Sequence, residues 1–508
     1  MTTETLSSLQ TIGLAGAAAI AALAVKYNDR AIFDEHRPGI AYRKGYPLVG
    51  GLPLLLKNRS NVHDFFTQNF EELDAMTTTM SNIGLGRRIS TIDPANIEHI
   101  LKNNFENYAK GPQFQEAFND LFGHGIFNAN GANWKYQRKA ASLIFNVKNF
   151  RDEFTRVFVK EIEYASKNIF DKAASDRTAV DFHDIMFKFT LDSFVLLGFG
   201  VEINGLKTDK KVPFAESFDA IQFNSSWRLI FPLWKLSEAV KPILFPWQTS
   251  VKDHIKVVDG FAYDVIAKRK RELAEGQKFK DLLSRFMSTH DENGELLDDV
   301  SLRDVILNFI VAGRDTTAVA LSWTFYNLML HPRIEKKLVE EIQANITDDI
   351  INDPIALYDA IKNMTYAHAV FYEVLRLHPS VPSNLKYALN DDVWPDGTHI
   401  QKGDYVTWSV YGLGRSTKVW GADAKQFRPE RWIQDGELRR ESQGQWPAFH
   451  AGPRVCLGQQ LATLESLVAI ATLLKQYKFS LVPEQEITYI PTVTIPMANG
   501  MKVFVERR

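Results

Sequence analysis

The only cysteine of this 508-residue chain, Cys456, is the first candidate for chemistry. It lies in FHAGPRVCLG, residues 449–458, between a Gly-Pro-Arg run and another glycine. One cysteine excludes an intramolecular disulfide, a zinc finger and a cysteine-held iron–sulfur cluster. The remaining interpretations are a single functional thiol or an inert buried thiol.

An acid beside two hydroxyls forms the second candidate, in AGRDTT, residues 312–317. The surrounding stretch 301–332 is apolar on nearly every face, which predicts a long helix through the core, with Ser301 and Asp304 as a capping box. Gly313 is unfavourable inside a helix, and a threonine hydroxyl there competes for the carbonyl four residues earlier and bends or opens the helix. We interpret the segment as a groove where a ligand approaches the backbone, or alternatively as a tolerated kink.

A third pattern is the pair Glu373 and Arg376, whose i, i+3 spacing places both on one helix face. Their neighbours are mostly apolar, which indicates a buried pair that needs a third partner. Arg431 in QFRPERW, residues 426–432, is a candidate for that partner.

The rest of the chain predicts one mainly helical domain with small β-sheets. Hydrophobic residues make up 45% of it, as a large core requires, and RIEKKLVEEIQANI is typical of its helical patterns. Strand patterns occur around residues 76–92 and in TVTIPM and MKVFVER, which flank Ala498-Asn499-Gly500 and predict a hairpin. Nucleotide-binding, zinc-protease and serine-hydrolase motifs are absent, and a net charge of −2 gives no indication of nucleic-acid binding.

The N-terminus favours a membrane anchor. Residues 5–25 carry no charge and would reach about 30 Å as a helix. The alternative, a cleaved signal peptide, needs a positive leader that is missing. Basic residues after this stretch predict a cytosolic orientation for the downstream chain: Lys26, Arg30, Arg37, Arg43 and Lys44. We therefore divide the chain into an anchor (1–26), a Pro/Gly-rich hinge (27–53) and a catalytic domain (54–508).

Together, these motifs resemble the haem-thiolate monooxygenases, or cytochromes P-450. The family's Cys-loop pattern FxxGxRxCxG is matched at Phe449, Gly452, Arg454, Cys456 and Gly458. AGRDTT is similar to the oxygen-groove motif AGx[DE]T[TS], and Glu373 to Arg376 matches ExxR. Trp134 to Arg138 matches WxxxR, and the order of the motifs agrees over essentially the whole chain. The resemblance implies the cytochrome P-450 fold, a single large domain behind one N-terminal anchor.

The resemblance also implies a role for each matched residue around haem b. Cys456 would be the iron ligand as a thiolate, with the N-terminus of a following helix facing the sulfur. Arg454, Trp134, Arg138 and Lys386 would bind the haem propionates.

The matched glycines and the acid–alcohol pair have roles of their own in the family. Gly452 and Gly458, beside Phe449, would let the backbone approach the macrocycle. Gly313, after Ala312, would leave room for dioxygen. Asp315 and Thr316 would be the catalytic pair that delivers protons.

The family reaction inserts one oxygen atom into a C–H bond and needs two electrons. Since no flavin or nicotinamide motif occurs, the resemblance implies a separate NADPH–cytochrome P-450 reductase in the endoplasmic reticulum membrane, with cytochrome b5 as a second candidate donor. Lys135 and Lys139 are candidates for docking it, or form a solvated helix face.

Longer segments such as VWPDGTHIQKGDYV and FHAGPRVCLGQQLATLE resemble plant and fungal ω-hydroxylases of long-chain fatty acids and alkanes. The segments expected to line the substrate cleft are rich in apolar residues: 108–127, 218–234, the region of Phe309, and 382–385. We therefore expect a fatty acid or alkane as substrate, with a steroid or xenobiotic as the alternative. A peroxide-driven or non-oxygenase haem protein is the alternative from another class, and the Asp315-Thr316 pair argues against it.

Overall fold

The computed structural model describes residues 3–143, 153–290 and 294–508, and it confirms a mainly helical fold with small sheets. The α-helices, numbered in chain order, are α1 Thr3–Lys26, α2 Leu52–Lys57, α3 Val62–Glu72, α4 Pro94–Glu98, α5 Pro112–Ala117, α6 Asn119–Phe122, α7 Gly131–Ser142, α8 Thr155–Ala165, α9 Asp171–Asp176, α10 Phe182–Phe199, α11 Pro213–Arg228, α12 Trp234–Leu244, α13 Val251–Ala274, α14 Leu282–Met287, α15 Asp299–Ile310, α16 Thr316–Leu330, α17 Pro332–Asn345, α18 Asp348–Ile351, α19 Pro354–Lys362, α20 Thr365–Leu377, α21 Val410–Arg415, α22 Thr417–Trp420 and α23 Gln459–Gln476. Wider π-helical turns occur at His99–Asn103, Ser166–Phe170 and Val311–Asp315. Short 3₁₀ turns lie at Phe105–Asn107, Gly205–Lys207, Pro429–Trp432, Pro447–Phe449 and Gly452–Arg454.

The strands form small sheets at the edge of this helical body. They are β1 Ala41–Tyr42, β2 Thr77–Met80, β3 Arg88–Thr91, β4 Tyr108–Ala109, β5 Val180–Asp181, β6 Ser383–Ala388, β7 Asp392–Val393, β8 His399–Ile400, β9 Tyr405–Ser409, β10 Ile433–Gln434, β11 Glu437–Leu438, β12 Tyr477–Leu481 and β13 Lys502–Arg507. The largest sheet has the order β1-β2-β3-β9-β6-β4, in which β3 pairs parallel and β6 antiparallel with β9. The strand prediction for residues 76–92 is confirmed by β2 and β3.

The predicted hairpin at the C-terminus is wrong. β13 pairs with β12 and β5, whereas TVTIPM (492–497) forms no strand and makes only an isolated bridge between Met497 and Tyr489. Gly500 has a φ of 68°, as a turn after Asn499 requires. The Asn-Gly pattern therefore identified a turn, but the partner strand came from 20 to 30 residues earlier in the chain, which local spacing does not reveal.

The predicted core helix is present as α15, the π turn Val311–Asp315 and α16. Asp298, which accepts from the backbone N–H of Ser301, caps its start, so the proposed Ser301–Asp304 box is wrong. Of the described residues, Asp299–Leu330 is the stretch long and apolar enough to cross a membrane, but 83% of its apolar window is buried inside the protein. It is therefore a core helix.

The N-terminal helix α1 has mostly exposed side chains from Thr11 onward, including Ile12, Leu14 and Val25. The following segment packs on the large sheet: β1 pairs with β2, and Ala31 bridges to Leu48. The anchor, hinge and domain boundaries stay predictions.

Behind the long helix, the predicted ion-pair triad forms with complete partners. Arg376 donates from Nε and Nη2 to the two oxygens of Glu373, both at 2.8 Å, and Arg431 Nε donates to Glu373 at 2.9 Å. The indole of Trp432 and the backbone N–H of Arg428 complete the shell of this fully buried carboxylate. The network fixes α20 to the 3₁₀ turn Pro429–Trp432.

Candidate active site

A cavity of about 1060 Å³ connects the Cys456 loop to the π turn Val311–Asp315. Each segment that the sequence assigned to a substrate cleft contributes to its wall, which is largely apolar. The lining residues from those segments include Phe114, Phe118, Phe122, Phe127, Phe223, Trp227, Phe309, Pro382 and Leu385. The cavity can therefore hold both a flat cofactor and an elongated apolar molecule.

The Cys456 loop folds back on itself before α23 begins. The backbone N–H of Cys456 donates to the Phe449 carbonyl at 2.8 Å, and both residues line the cavity. The thiol is exposed to the cavity but enclosed by the protein. Burial raises its pKa, whereas the backbone N–H of Gly458 and the nearby Arg138 lower the pKa. Metal coordination removes the thiol proton outright, so this sulfur fits a ligand role.

A cluster of basic side chains lies near this loop, which we call the cation cluster: Lys110, Arg138, Lys386 and Arg454. Burial and mutual repulsion lower the pKa of Lys110 to about 7 and that of Arg454 to about 10, and they lower the pKa of Lys386 far below its ordinary value. Among the described residues, none of the four forms a salt bridge with a carboxylate. Such a cluster requires an anionic ligand, and the two propionates of haem fit that requirement.

The predicted propionate-binding residues take different positions. The Arg454 guanidinium stacks on the Trp134 ring at 4.5 Å and donates to the Ala129 carbonyl at 2.7 Å, while its Nε is buried without a partner. Trp134, Arg138 and Arg454 all line the cavity. Lys386 does not, because its Nζ donates to the Tyr108 carbonyl at 3.2 Å. Its contribution to haem binding would be a longer-range positive charge.

The three predicted glycines have different surroundings. Gly452 has a φ of 60°, and a Cβ there would lie 2.1 Å from the Leu101 carbonyl oxygen, so Gly452 allows close backbone packing outside the cavity. At Gly313 a Cβ would lie 1.9 Å from the Phe194 ring. Gly313 also lines the cavity, and its role beside dioxygen stays a prediction. Gly458 does line the cavity, close to the sulfur of Cys456.

The hydroxyl and the acid of AGRDTT point to different surroundings. Thr316 lines the cavity beside Ala312, and its Oγ1 donates to the Ala312 carbonyl at 2.7 Å, which confirms the predicted competition within the helix. Asp315 is 1% exposed and does not line the cavity. Its carboxylate accepts from Gln222 Nε2 at 2.7 Å and from Arg314 Nη1 at 2.9 Å.

Electrostatics keep Asp315 close to titration. Burial raises its pKa to about 6, against the effect of Arg314, which lowers the pKa. Arg314 also bridges to the more exposed Asp219 at 2.6 Å. Asp219, Arg314 and Asp315 thus form a chain of charged side chains that leads from the protein surface to Asp315, next to Thr316 in the sequence.

Sequence reasoning missed several residues of the site. Lys110 and Gln222 lie in segments assigned to the cleft, but nothing local indicated their polar roles. Glu465 on α23 lines the cavity, burial raises its pKa well above the ordinary range, and its Oε1 has no partner. Its position nine residues after Cys456, on the inner face of the predicted helix, was the available signal.

Comparison with known proteins supports this interpretation. The family model "Cytochrome P450" matches residues 41–499. The chain is 36% identical to cytochrome P450 704B1 of Arabidopsis thaliana, over 93% of this chain and 97% of the relative. It is 35% identical to cytochrome P450 94A1 of Vicia sativa, over 92% and 91%. It is also 35% identical to cytochrome P450 monooxygenase cyp1 of Mycosarcoma maydis, over 91% and 73%.

Proposed function

Because the chain belongs to the cytochrome P450 family and is a haem monooxygenase that receives electrons from a reductase, we propose that it hydroxylates a long-chain fatty acid or alkane at or near the terminal carbon. The observation that carries the proposal is a largely apolar cavity of about 1060 Å³ whose walls include Cys456, Thr316 and residues of the large sheet. Such a wall favours an alkyl chain. The segments predicted from the sequence to line a substrate cleft all contribute to this wall.

In this proposal, haem b binds with Cys456 as its iron ligand and supplies the oxygen chemistry when bound. Arg138, Arg454 and Lys110 hold the propionates through charge-assisted hydrogen bonds, and Trp134 supports Arg454. The apolar wall excludes water from the reacting carbon.

Protons reach the site through the chain's own residues. Asp315 takes a proton from the Asp219–Arg314 side, since its pKa of about 6 allows both states near neutral pH. Its carboxyl must turn away from Gln222 to pass the proton toward the Thr316 hydroxyl. Thr316 then orders the water that carries it.

NADPH is the proposed electron source, through NADPH–cytochrome P-450 reductase, with cytochrome b5 as a second donor. Lys135 and Lys139 are exposed on α7 and suit docking of an acidic partner. The same helix carries Trp134 and Arg138, which line the cavity, so a partner docked on these lysines would lie near the proposed haem site.

A membrane location is also proposed, in the endoplasmic reticulum, with one span and a cytosolic catalytic domain. α1 is apolar and exposed, and α12 has no buried residue. Exposed apolar side chains continue to Ile243 and Trp247, which are 78% and 75% exposed. A second apolar surface of this size supports contact with lipid.

The test is turnover by the full-length enzyme reconstituted with NADPH–cytochrome P-450 reductase in lipid vesicles. We expect ω- or near-terminal hydroxylation of hexadecanoic acid, and no comparable turnover of a steroid such as progesterone. Steroid turnover without fatty-acid turnover would contradict the substrate proposal. Product formed with peroxide and not with NADPH and reductase would contradict the proposed electron supply.

A further inference from the structure

A single arginine at the sheet end of the cavity has no acidic partner. Arg88, the first residue of β3, lines the cavity and donates from Nη2 to the Leu229 carbonyl at 2.6 Å and to Gln113 Oε1 at 3.2 Å. Its Nε is buried without a partner. Among the described residues, no carboxylate forms a salt bridge with it.

Two other arginines, whose side chains are buried, do have acidic partners. Arg228 bridges to Asp120 and Glu238, and Arg269 bridges to Asp281. By contrast, burial lowers the pKa of Arg88 to about 10, and Tyr405 offsets this only in part. A desolvated cation that keeps free hydrogen-bonding capacity and faces a cavity is suited to an anion from outside the chain.

The wall around Arg88 is polar, unlike the rest of the cavity. Thr78, Ser90 and Thr407 come from β2, β3 and β9 and line the cavity with it. Ser90 and Thr407 share a hydrogen bond of 2.6 Å between their hydroxyls. Because side chains alternate along a strand, Arg88 and Ser90 project from the same face of β3.

Other charged residues also line the cavity. Lys57 and Arg59 lie at the start of the α2–α3 connection, and Arg43 bridges to Glu72. The acids that line the cavity are Glu486 and, on α23 after the Cys456 loop, Glu465, and neither forms a salt bridge with Arg88. Basic groups thus outnumber acids away from the Cys456 loop, which favours an anionic end group there.

We propose that Arg88 binds the carboxylate of a long-chain fatty acid, with its alkyl chain extending through the apolar part of the cavity toward Cys456. This inference deepens the proposed function and rests on it: it selects a fatty acid over an alkane and assigns the recognition of the acid end. The guanidinium presents a planar fork that matches a carboxylate.

The competing explanation is structural. The bond from Arg88 to the Leu229 carbonyl joins β3 to the end of α11, and that role needs no ligand. A structural role predicts equal effects on acidic and neutral substrates, whereas carboxylate recognition predicts an effect on acids alone.

The experiment compares hexadecanoic acid with hexadecan-1-ol, which has the same chain length and no charge. Binding is measured with the full-length haem-loaded enzyme by the substrate-induced spin shift. Arg88→Gln should weaken binding of the acid about 10- to 100-fold, the loss expected for one charge-assisted hydrogen-bonded contact. Binding of the alcohol should change less than about threefold.

The matched control is Arg87→Gln. Arg87 is the preceding residue in the chain and does not line the cavity; it contacts Gln401 at 2.9 Å and Asp34 at 3.5 Å. The substitution Arg87→Gln removes the same charge at a position outside the cavity. We expect it to leave the preference for binding the acid over the alcohol unchanged.

Equal losses for acid and alcohol in Arg88→Gln, or equal losses in the two variants, would overturn the inference. If Arg88→Gln does not fold, as judged by its reduced CO spectrum, Arg88→Lys should fold and retain a preference for the acid. Wild-type enzyme that binds the alcohol as tightly as the acid would also overturn it. If wild-type enzyme oxidises neither these compounds nor hexadecane, the proposed function itself fails; if it oxidises the acid and the alcohol without acid preference, only this inference fails.

Discussion

Two groups of buried charges in this protein are built in opposite ways. Around Glu373, each charge has a partner of opposite sign, and the indole of Trp432 completes the shell. In the cation cluster, Lys110, Arg138, Lys386 and Arg454 repel one another, and no described carboxylate balances them. The first group is complete within the chain, whereas the second becomes complete only with an anionic ligand.

This difference separates residues that hold the fold from residues that hold the cofactor. A satisfied buried ion network contributes to the fold and has no capacity left for a ligand. An unsatisfied cluster makes the protein without haem less stable and transfers that free energy to haem binding. In the protein without haem, a mutation that removes a charge from the Glu373 network should therefore lower stability, whereas one that removes a charge from the cation cluster should raise it.

The largest expected effect is at the sulfur that lies near the cation cluster. Cys456→Ser leaves every cation in place, so haem should still bind through its propionates. The strongly red-shifted Soret band of the reduced CO complex should disappear and substrate oxidation should be abolished, because serine cannot provide a thiolate ligand. CO difference spectra and haem content measure this. An unchanged band would show that the ligand is assigned wrongly.

Glu373→Gln should have the next largest effect, and on the fold. The amide removes the charge that balances Arg376 and Arg431, which leaves buried cations without compensation at a cost of about 3–5 kcal/mol. We expect loss of soluble enzyme and a lower thermal midpoint with or without haem.

Its matched control is Glu340→Gln, an exposed residue that faces Lys336 at 3.9 Å. Surface pairs of this kind contribute about 0–1 kcal/mol. If the two variants behave alike, the Glu373 network does not hold the fold in the way we describe.

The effect of Lys110→Met on stability should have opposite signs in the protein without haem and in the protein with haem. Without haem the variant should be more stable than wild type, because a desolvated cation beside Arg454 is removed. The variant should bind haem more weakly, by about 1.5–3 kcal/mol for one charge-assisted hydrogen bond. It should therefore lose the cofactor faster than wild type. Thermal midpoints of both forms and the rate of haem transfer to an acceptor protein measure this.

The pH dependence gives a second check on Lys110. Its pKa of about 7 lies below the ordinary lysine value, so the unfolded chain binds more protons between about pH 7 and 10. Wild-type stability without haem should therefore rise with pH in this window, and the rise should be smaller in Lys110→Met. Lys139→Met, which removes an exposed charge from α7, should show neither effect; a similar response would argue against an unsatisfied cluster.

The sequence predicted one group better than the other, for a physical reason. Glu373 and Arg376 lie three residues apart on one helix, so their spacing alone predicts the pair, and Arg431 lies in a short arginine motif that made it the candidate third partner. Lys110 reaches Lys386 only through the pairing of β4 with β6, strands far apart in the chain, and Arg454 joins them from the Cys456 loop. The same limit applies to Gly452 and Gly313, whose contacts with Leu101 and Phe194 are set by packing between distant elements. Motifs therefore located the reacting groups, and tertiary packing determined what surrounds them.

Asp315→Asn tests a case between the two groups and should have the smallest effect. Asp315 has partners in Gln222 and Arg314, yet burial still raises its pKa to about 6. Its folded pKa exceeds the unfolded value of 3.8, so its contribution to stability is present at low pH and is lost as pH rises toward and through 6. The difference in unfolding free energy between wild type and Asp315→Asn should therefore fall by about 1 kcal/mol from pH 5 to pH 7.

Asp219→Asn is the control for this prediction. It removes a negative neighbour of Asp315 and should shift the transition to lower pH. A difference that does not vary with pH would mean that Asp315 keeps one protonation state across this range, and it would then be unable to carry a proton.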